Sequence, residues 1–194
     1  MKTPHIISTI PVMLLAGMFL CGCKRDKDVD CPEGYIQVGD HCEEEQEIIT
    51  SVILHLTLDT THISYSYKDV DGIGGNPPVI DTIKLLPDTT YTVELEILDE
   101  SKNPVDDITA EIRSRKEEHQ FFYNTDGSLQ LNVTYNDQDD NGYPVGLSTS
   151  FVCSTASNGN LEVVLKHQPG TKDGNQTTGA TDVDATFPVV IKKW

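Results

Sequence analysis

Two sets of side chains in this 194-residue sequence could hold a metal ion, and each has a plainer explanation beside it. The stretch YNDQDDNGYPVG, residues 135–146, offers Asp137, Asp139 and Asn141 at alternate positions ahead of Gly142. That is the front half of a calcium loop, in which oxygen ligands alternate and a glycine makes the sharp turn. The glutamate that closes such a loop is missing, because Ser148 stands at its place. A second oxygen-rich stretch carries Asp69, Asp71 and Asn76 around Gly72, Gly74 and Gly75. Were both loops to leave the same end of a sandwich, they could share the ion. Asp, Asn and Gly are also what tight turns use, since they tolerate left-handed backbone and bond locally. The other set is His119 and His167. Each falls in a strand pattern among apolar residues, His119 with Phe121 and Tyr123, His167 with Leu161, Val163 and Leu165. If the two strands are neighbours, the imidazoles meet at one edge and could bind a transition metal or haem, with Glu117 or Glu118 as a further ligand or orienting group. A lone histidine at a strand end is more often a hydrogen-bonded residue of the core or its rim.

Other chemistries find less support. The glycines of DGIGGN suggest a phosphate cradle, but Asp69 and Asp71 would face the phosphate and no lysine follows. No GxSxG, no HExxH and no cysteine paired with histidine at a catalytic spacing occurs, so the expectation is a protein that is not an enzyme. The chain holds 14 basic and 31 acidic side chains, a formal charge of −17. Nucleic acid and anionic lipid surfaces both require a positive footprint, so neither is an expected partner. Cations, cationic partners or plain solubility suit such a charge.

The beginning of the chain indicates where it resides. A lysine and a mostly apolar run end in Leu20, Cys21, Gly22 and Cys23, which resembles the bacterial lipobox. Residues 1–22 then form a lipoprotein signal peptide and Cys23 carries the lipid. The run is too short for a permanent transmembrane helix, so the expected protein is anchored to its membrane and does not span it. An exported chain meets an oxidising compartment, where Cys31 and Cys42 can close a small disulfide loop; a zinc site would need more ligands than His41 alone. Cys153 falls at an apolar position of a strand and is expected to be a buried, inert thiol.

The elements that must position these residues can be read from periodicity. Residues 23–47 read as an acidic tether holding the cysteine loop, and residues 48–194 as one domain. SVILHLTLD and THISYSYKD alternate as a hairpin about Asp59 and Thr60, with His55 and His62 on its polar face. VIDTIKLL reads as one strand. LLPDTTYTVELEILDES resembles the strand start of fibronectin type III sandwiches, where a tyrosine hydroxyl bonds back to the preceding corner. A helix is expected from an Asn103 cap and Pro104, with Asp106 and Asp107 in its first turn, Arg113, Arg115 and Lys116 late, and Val105, Ile108 and Ile112 toward the sheet. Strands follow at HQFFY, LQLNVTY, LSTSFVCS and, after a turn at SNG, NLEVVLKH. PGTKDGNQTTGATD reads as a polar loop, and VDATFPVVI, with Pro188, as an edge strand. The whole is all-β, an immunoglobulin- or fibronectin-III-like β-sandwich of about eight or nine strands with one short helix.

The strings YKDVDGIGGNPPVI, LPDTTYTVELEILDES, EEHQFFY, NGYPVGLST and LKHQP together resemble a group of small Bacteroidota lipoproteins. These are loosely labelled type 1 periplasmic-binding-fold or cyclohydrolase proteins and are often encoded near TonB-dependent receptors. The resemblance implies an accessory role in uptake across the outer membrane and brings no catalytic residues. The binding-fold label needs alternating strands and helices, which this chain does not offer. KRDKD after Cys23 resembles the surface-export signals of such lipoproteins. The expected function is therefore a non-catalytic binding module on the outer membrane, at its periplasmic or cell-surface face, for a metal or metal complex. The alternative is a structural or adhesive envelope protein whose acidic loops are made rigid by calcium.

Overall fold

The structure, a computed structural model, describes residues 29–31, 35–38, 41–44, 48–72 and 75–194. The signal peptide and lipobox, Cys23 included, lie outside the described residues, as do Gly74 and its neighbour at 73. The chain divides into two compact units, Met1–Glu45 and Gln46–Trp194. In the first, β1 (Tyr35–Val38) and β2 (His41–Glu44) pair antiparallel. Cys42 lies opposite Gln37 and is joined to Cys31 by a disulfide, with the Cα atoms 5.7 Å apart. The tether thus carries a small stapled pair of strands, residues 35–38 against 41–44, where only a loop was expected.

The second unit is an all-β sandwich. Its strands are β3 (Ser51–Leu58), β4 (Thr61–Lys68), β5 (Val79–Ile80), β6 (Ile83–Leu85), β7 (Thr89–Asp99), β8 (Asp106–Asp107), β9 (His119–Thr125), β10 (Leu131–Tyr135), β11 (Ser148–Cys153), β12 (Ser157–His167) and β13 (Ala180–Ile191). The single described helix, α1, spans Ile108–Ser114. One sheet runs β10-β11-β7-β3-β4-β5, with β8 added to β7; the other runs β6-β13-β12-β9. Taken from β6 onward, and leaving out β8, these strands follow the Greek-key order of an immunoglobulin sandwich. The second, fifth and fourth strands of that series form one sheet and the third, sixth and seventh the other. The first strand, β6, joins the second sheet parallel to β13, and the β3–β4 hairpin extends the first.

Alternation explains why these segments are strands. In β7, Tyr91, Val93, Leu95 and Ile97 are buried while Thr92 and Glu94 face water. In β3 the buried set is Val52, Leu54 and Leu56. They meet Phe121, Phe151, Leu161, Leu165 and Phe187 in one core, where each such side chain contributes about 1.5–3 kcal/mol. Edge contacts tie the sheets together, Tyr67 on Phe187 and Tyr123 on Phe151, with ring centroids 6.3 and 6.1 Å apart.

The tyrosine bond expected ahead of the strand in LLPDTTYTVELEILDES is present, at the start of β7, the second strand of the series. The Leu86 N–H donates to the Tyr91 hydroxyl at 2.9 Å. Tyr91→Phe leaves that N–H without its acceptor and is expected to cost about 1–3 kcal/mol, read as a lower urea midpoint at unchanged slope. Cys153 is buried, and burial pushes its thiol up to about 11. It is expected to react with a water-soluble disulfide reagent only at the rate of global unfolding.

Several boundaries differ from the sequence expectation. The helix starts at Ile108, because Asp106 and Asp107 pair as β8 with Leu98 and Asp99 along a part of β7 that β11, which stops at Glu94, leaves open. Thr109 continues that cover, its hydroxyl accepting from the Ile97 N–H at 2.8 Å, while Val105 is exposed. VIDTIKLL is two strands, since the chain crosses from one sheet to the other at Asp81, whose carboxylate accepts the Ser66 N–H and hydroxyl. The SNG residues lie inside β12, where Gly159 admits the Asp126 carboxylate at a distance no Cβ would allow. Finally, β13 is an inner strand, between β12 and β6. Its pairing with β6 begins at Val189, one residue past Pro188, so the missing N–H of the proline costs that ladder nothing.

Candidate functional site

Greek-key connectivity sends three connections out of one end of the sandwich: β7 to β9 through α1, β10 to β11, and β12 to β13. Side-chain contacts knit them together. Lys172, between β12 and β13, is buried against Asp139, between β10 and β11, at 2.9 Å, and donates to the Lys116 carbonyl at 2.8 Å. The Lys116 ammonium in turn pairs with Asp140.

His119 opens β9 and His167 closes β12, and the register sets them opposite one another. The two strands are neighbours, and the imidazoles stack with centroids 4.5 Å apart and planes 1° from parallel. His119 is 0% exposed and His167 6%. Asp182 reaches them from β13. The β12–β13 register skips it, pairing Leu165 with Val183 and Lys166 with Thr181, so Asp182 is the extra residue of a bulge. One ligand atom from each of His119, His167 and Asp182 lies within 4.8 Å of the other two, the one such group of three among the described residues. Gly179 makes the approach of β13 possible: its φ is +75°, and a Cβ there would strike the His167 carbonyl.

Hydrogen bonds assign the protons. His119 Nδ1 lies 3.1 Å from the Arg115 carbonyl, which can only accept, so Nδ1 carries a hydrogen and Nε2 is the nitrogen turned from that bond. Arg115 Nη2 lies 3.2 Å from His167 Nε2 and can only donate, so that nitrogen keeps its lone pair. Two bonds to Glu118, at 2.9 and 2.7 Å, hold the guanidinium, and the same carboxylate comes within 3.8 Å of His167 Nε2. Glu118 is therefore the glutamate beside the pair; Glu117 turns toward Lys116 at 3.9 Å. Two imidazoles and a carboxylate form a borderline donor set, suited to zinc, copper(II) or nickel. Coordination would tilt the rings out of parallel to bring nitrogen within about 2.0–2.1 Å of an ion such as zinc. An ion held through His167 Nε2 would also lift Arg115 from that nitrogen, leaving the guanidinium its bonds to Glu118.

Comparison with protein-family models, with curated proteins and with solved structures finds no match to this chain.

The acidic residues are arranged differently. Asp137 accepts the N–H groups of Gly146, Leu147 and Ser148 at 2.8, 2.9 and 3.0 Å. Asp139 accepts from Asn141 and Tyr143 through one oxygen, both at 2.9 Å, and meets Lys172 with the other. Burial raises the Asp139 carboxyl, but the Lys172 ammonium and the Tyr143 N–H outweigh it and hold the group below its usual value. Asn141 is exposed. The loop closes on its own N–H groups and ammoniums, and a calcium ion at Asp139 would have to displace Lys172. In the other stretch, Asp71 accepts the Asn76 N–H and side-chain amide at 2.9 and 2.6 Å, and Asp69 donates its own N–H to Thr50. The two stretches are not drawn into one group of ligands among the described residues.

On the β3–β4 hairpin, His55 bridges Ser64 and Glu96 at 2.8 Å each and His62 meets Thr57 at 2.9 Å, as a polar face implies. Asp182, Arg115 and Lys172 were not legible as site residues. The first and last sit within or beside what reads as a polar loop, and Arg115 reads as the basic end of a helix.

Proposed function

We propose that this chain is a lipid-anchored, non-catalytic binding module of the outer membrane, held there through Cys23. In this reading it serves a TonB-dependent receptor by holding a transition-metal ion or metal complex at His119, His167 and Asp182. One observation carries the proposal: two buried imidazoles and a carboxylate, from three different strands, converge at the end of the sandwich where its connections gather. The lipobox-like LCGC and the resemblance described above supply the anchor and the uptake setting. Among the described residues no helix is long and apolar enough to cross a membrane.

Titration calorimetry with copper(II), zinc, haem and calcium, on the chain begun at residue 23 with Cys23→Ser, tests the site. Saturable binding of a transition metal or haem supports it. Silence with all four removes the cargo reading, and calcium binding lost in Asp137→Ala would favour a structural envelope protein instead. Metabolic labelling with a fatty-acid probe tests the anchor separately, since wild-type chain should be marked and the Cys23→Ser chain should not.

A further inference from the structure

The opposite end of the sandwich is built differently. There the tip of the β3–β4 hairpin overhangs the start of β7 and the end of β13, and a pocket of about 380 Å³ opens between them. Its walls are Leu56, Leu58, Ile63, Tyr65, Leu86 and Tyr91. The Tyr65 hydroxyl donates to the Lys84 carbonyl at 3.0 Å and so fixes the gap between the two sheets. Trp194 stands at the mouth, 63% exposed, and Ile63 on the facing wall is 42% exposed. The Lys192 and Lys84 ammoniums lie 4.0 and 5.5 Å from the tryptophan ring centroid.

Three features select a ligand class. The volume is that of a small-molecule site and far below what a folded partner needs. The walls are aliphatic and aromatic, with few of the convergent polar groups that a sugar or nucleotide would require. The charge at the mouth opposes that of the whole molecule: in a chain of net charge −17, Lys84 lines the apolar pocket and Lys192 lies on the Trp194 ring at its mouth. Among the described residues neither forms an ion pair, and each rests on the face of Trp194 instead.

We propose that this pocket is a second binding site, separate from the histidine site, for a small free amphiphilic anion. The apolar body of the ligand lies against Leu58, Ile63 and Trp194, and its single carboxylate or sulfonate meets Lys84 and Lys192. Insertion covers the exposed indole and gives both ammoniums a counter-charge.

Trp194 is the only tryptophan in the chain, so its emission reports on the pocket alone. The measurement uses the chain begun at residue 23 with Cys23→Ser, which keeps detergent out of the sample. Sodium decanoate, below its micelle concentration, should shift the emission saturably and displace anilinonaphthalene sulfonate. Decyltrimethylammonium, with the same tail and opposite head, should bind at least about tenfold more weakly. Replacing Lys84→Glu and Lys192→Glu together should erase that preference. Ile63→Asp, at a position exposed enough to leave the fold intact, should abolish decanoate binding while circular dichroism stays unchanged. The proposal is overturned if decanoate gives no saturable shift or if the cationic amphiphile binds as tightly. It is also overturned if phosphatidylglycerol vesicles shift Trp194 as strongly as free decanoate, which would make the site a membrane contact.

Discussion

Replacing His119 or His167 by alanine is expected to lower the affinity of the chain for copper(II) or zinc by more than about a hundredfold. Changes to groups that merely orient a ligand already cost about 10–100-fold, and these variants remove the ligand atom itself. The two imidazoles are not equivalent. His119 is fully buried, and its Nδ1 is held on the Arg115 carbonyl, which aims Nε2 away from the helix end. His167 Nε2 meets Arg115, so an ion that takes that nitrogen must first displace the guanidinium. Arg115→Gln should therefore weaken the hold on His167 and raise metal affinity, the opposite direction from either alanine variant. Asp182→Asn keeps the size of the side chain, removes the anionic ligand, and should fall between. Asp137→Ala, whose lost oxygens served only backbone N–H groups, should destabilise its loop without changing metal affinity directly. Calorimetry on wild type and the five variants, each checked by its unfolding transition, gives the ranking. Equal affinity in wild type and His119→Ala would remove the histidine pair from the site.

What the sequence discloses follows from where its information is local. Strict alternation makes β3, β4 and β7 legible; one face is buried in β3 and β7, while in β4 Ile63, Tyr65 and Tyr67 are only partly covered. The same alternation places His119 and His167 on core-facing positions, and their places at a strand start and a strand end are visible without any pairing. That they meet depends on register, which the sequence leaves open, and that Asp182 joins them depends on a bulge no local pattern marks. The misread segments share this cause. Asp106 and Asp107 look like the first turn of a helix, yet they are extended because an uncovered length of β7 is there to pair with. Pro188 looks like an edge marker, yet the strand is inner, and it tolerates the proline because its short neighbour β6 begins to pair only at Val189. The acidic loop resembles half a calcium site by composition, while its oxygens are committed to N–H groups up to 11 residues away and to Lys172.

That commitment sets the second large effect. Lys172→Met is expected to destabilise the sandwich unit by about 3–5 kcal/mol, the range for removing one partner of a buried ion pair. Asp139 and Lys172 have side chains only 0% and 3% exposed, so neither water nor salt can take over the missing partner's role. The carboxylate left behind keeps the N–H groups of Asn141 and Tyr143 but loses its counter-charge. Adding Asp139→Asn to Lys172→Met should recover at least half the loss, because the amide oxygen still accepts both N–H groups and no buried charge remains. Acidity should act in a defined direction. The Asp139 carboxyl lies below its usual value in the folded chain, so its contribution is complete above the unfolded value of about 3.9. It is lost as pH falls below that value and through the lower folded one. The difference in unfolding free energy between wild type and Lys172→Met should therefore be full at neutral pH and collapse below about pH 4. A difference that persists undiminished in acid would mean Lys172 acts by packing alone. The pair also bears on the metal site, since the loop that Lys172 pins leads from His167 to Asp182. Releasing it at neutral pH should weaken metal binding less than either histidine variant does, because the ligands remain and only their placement loosens.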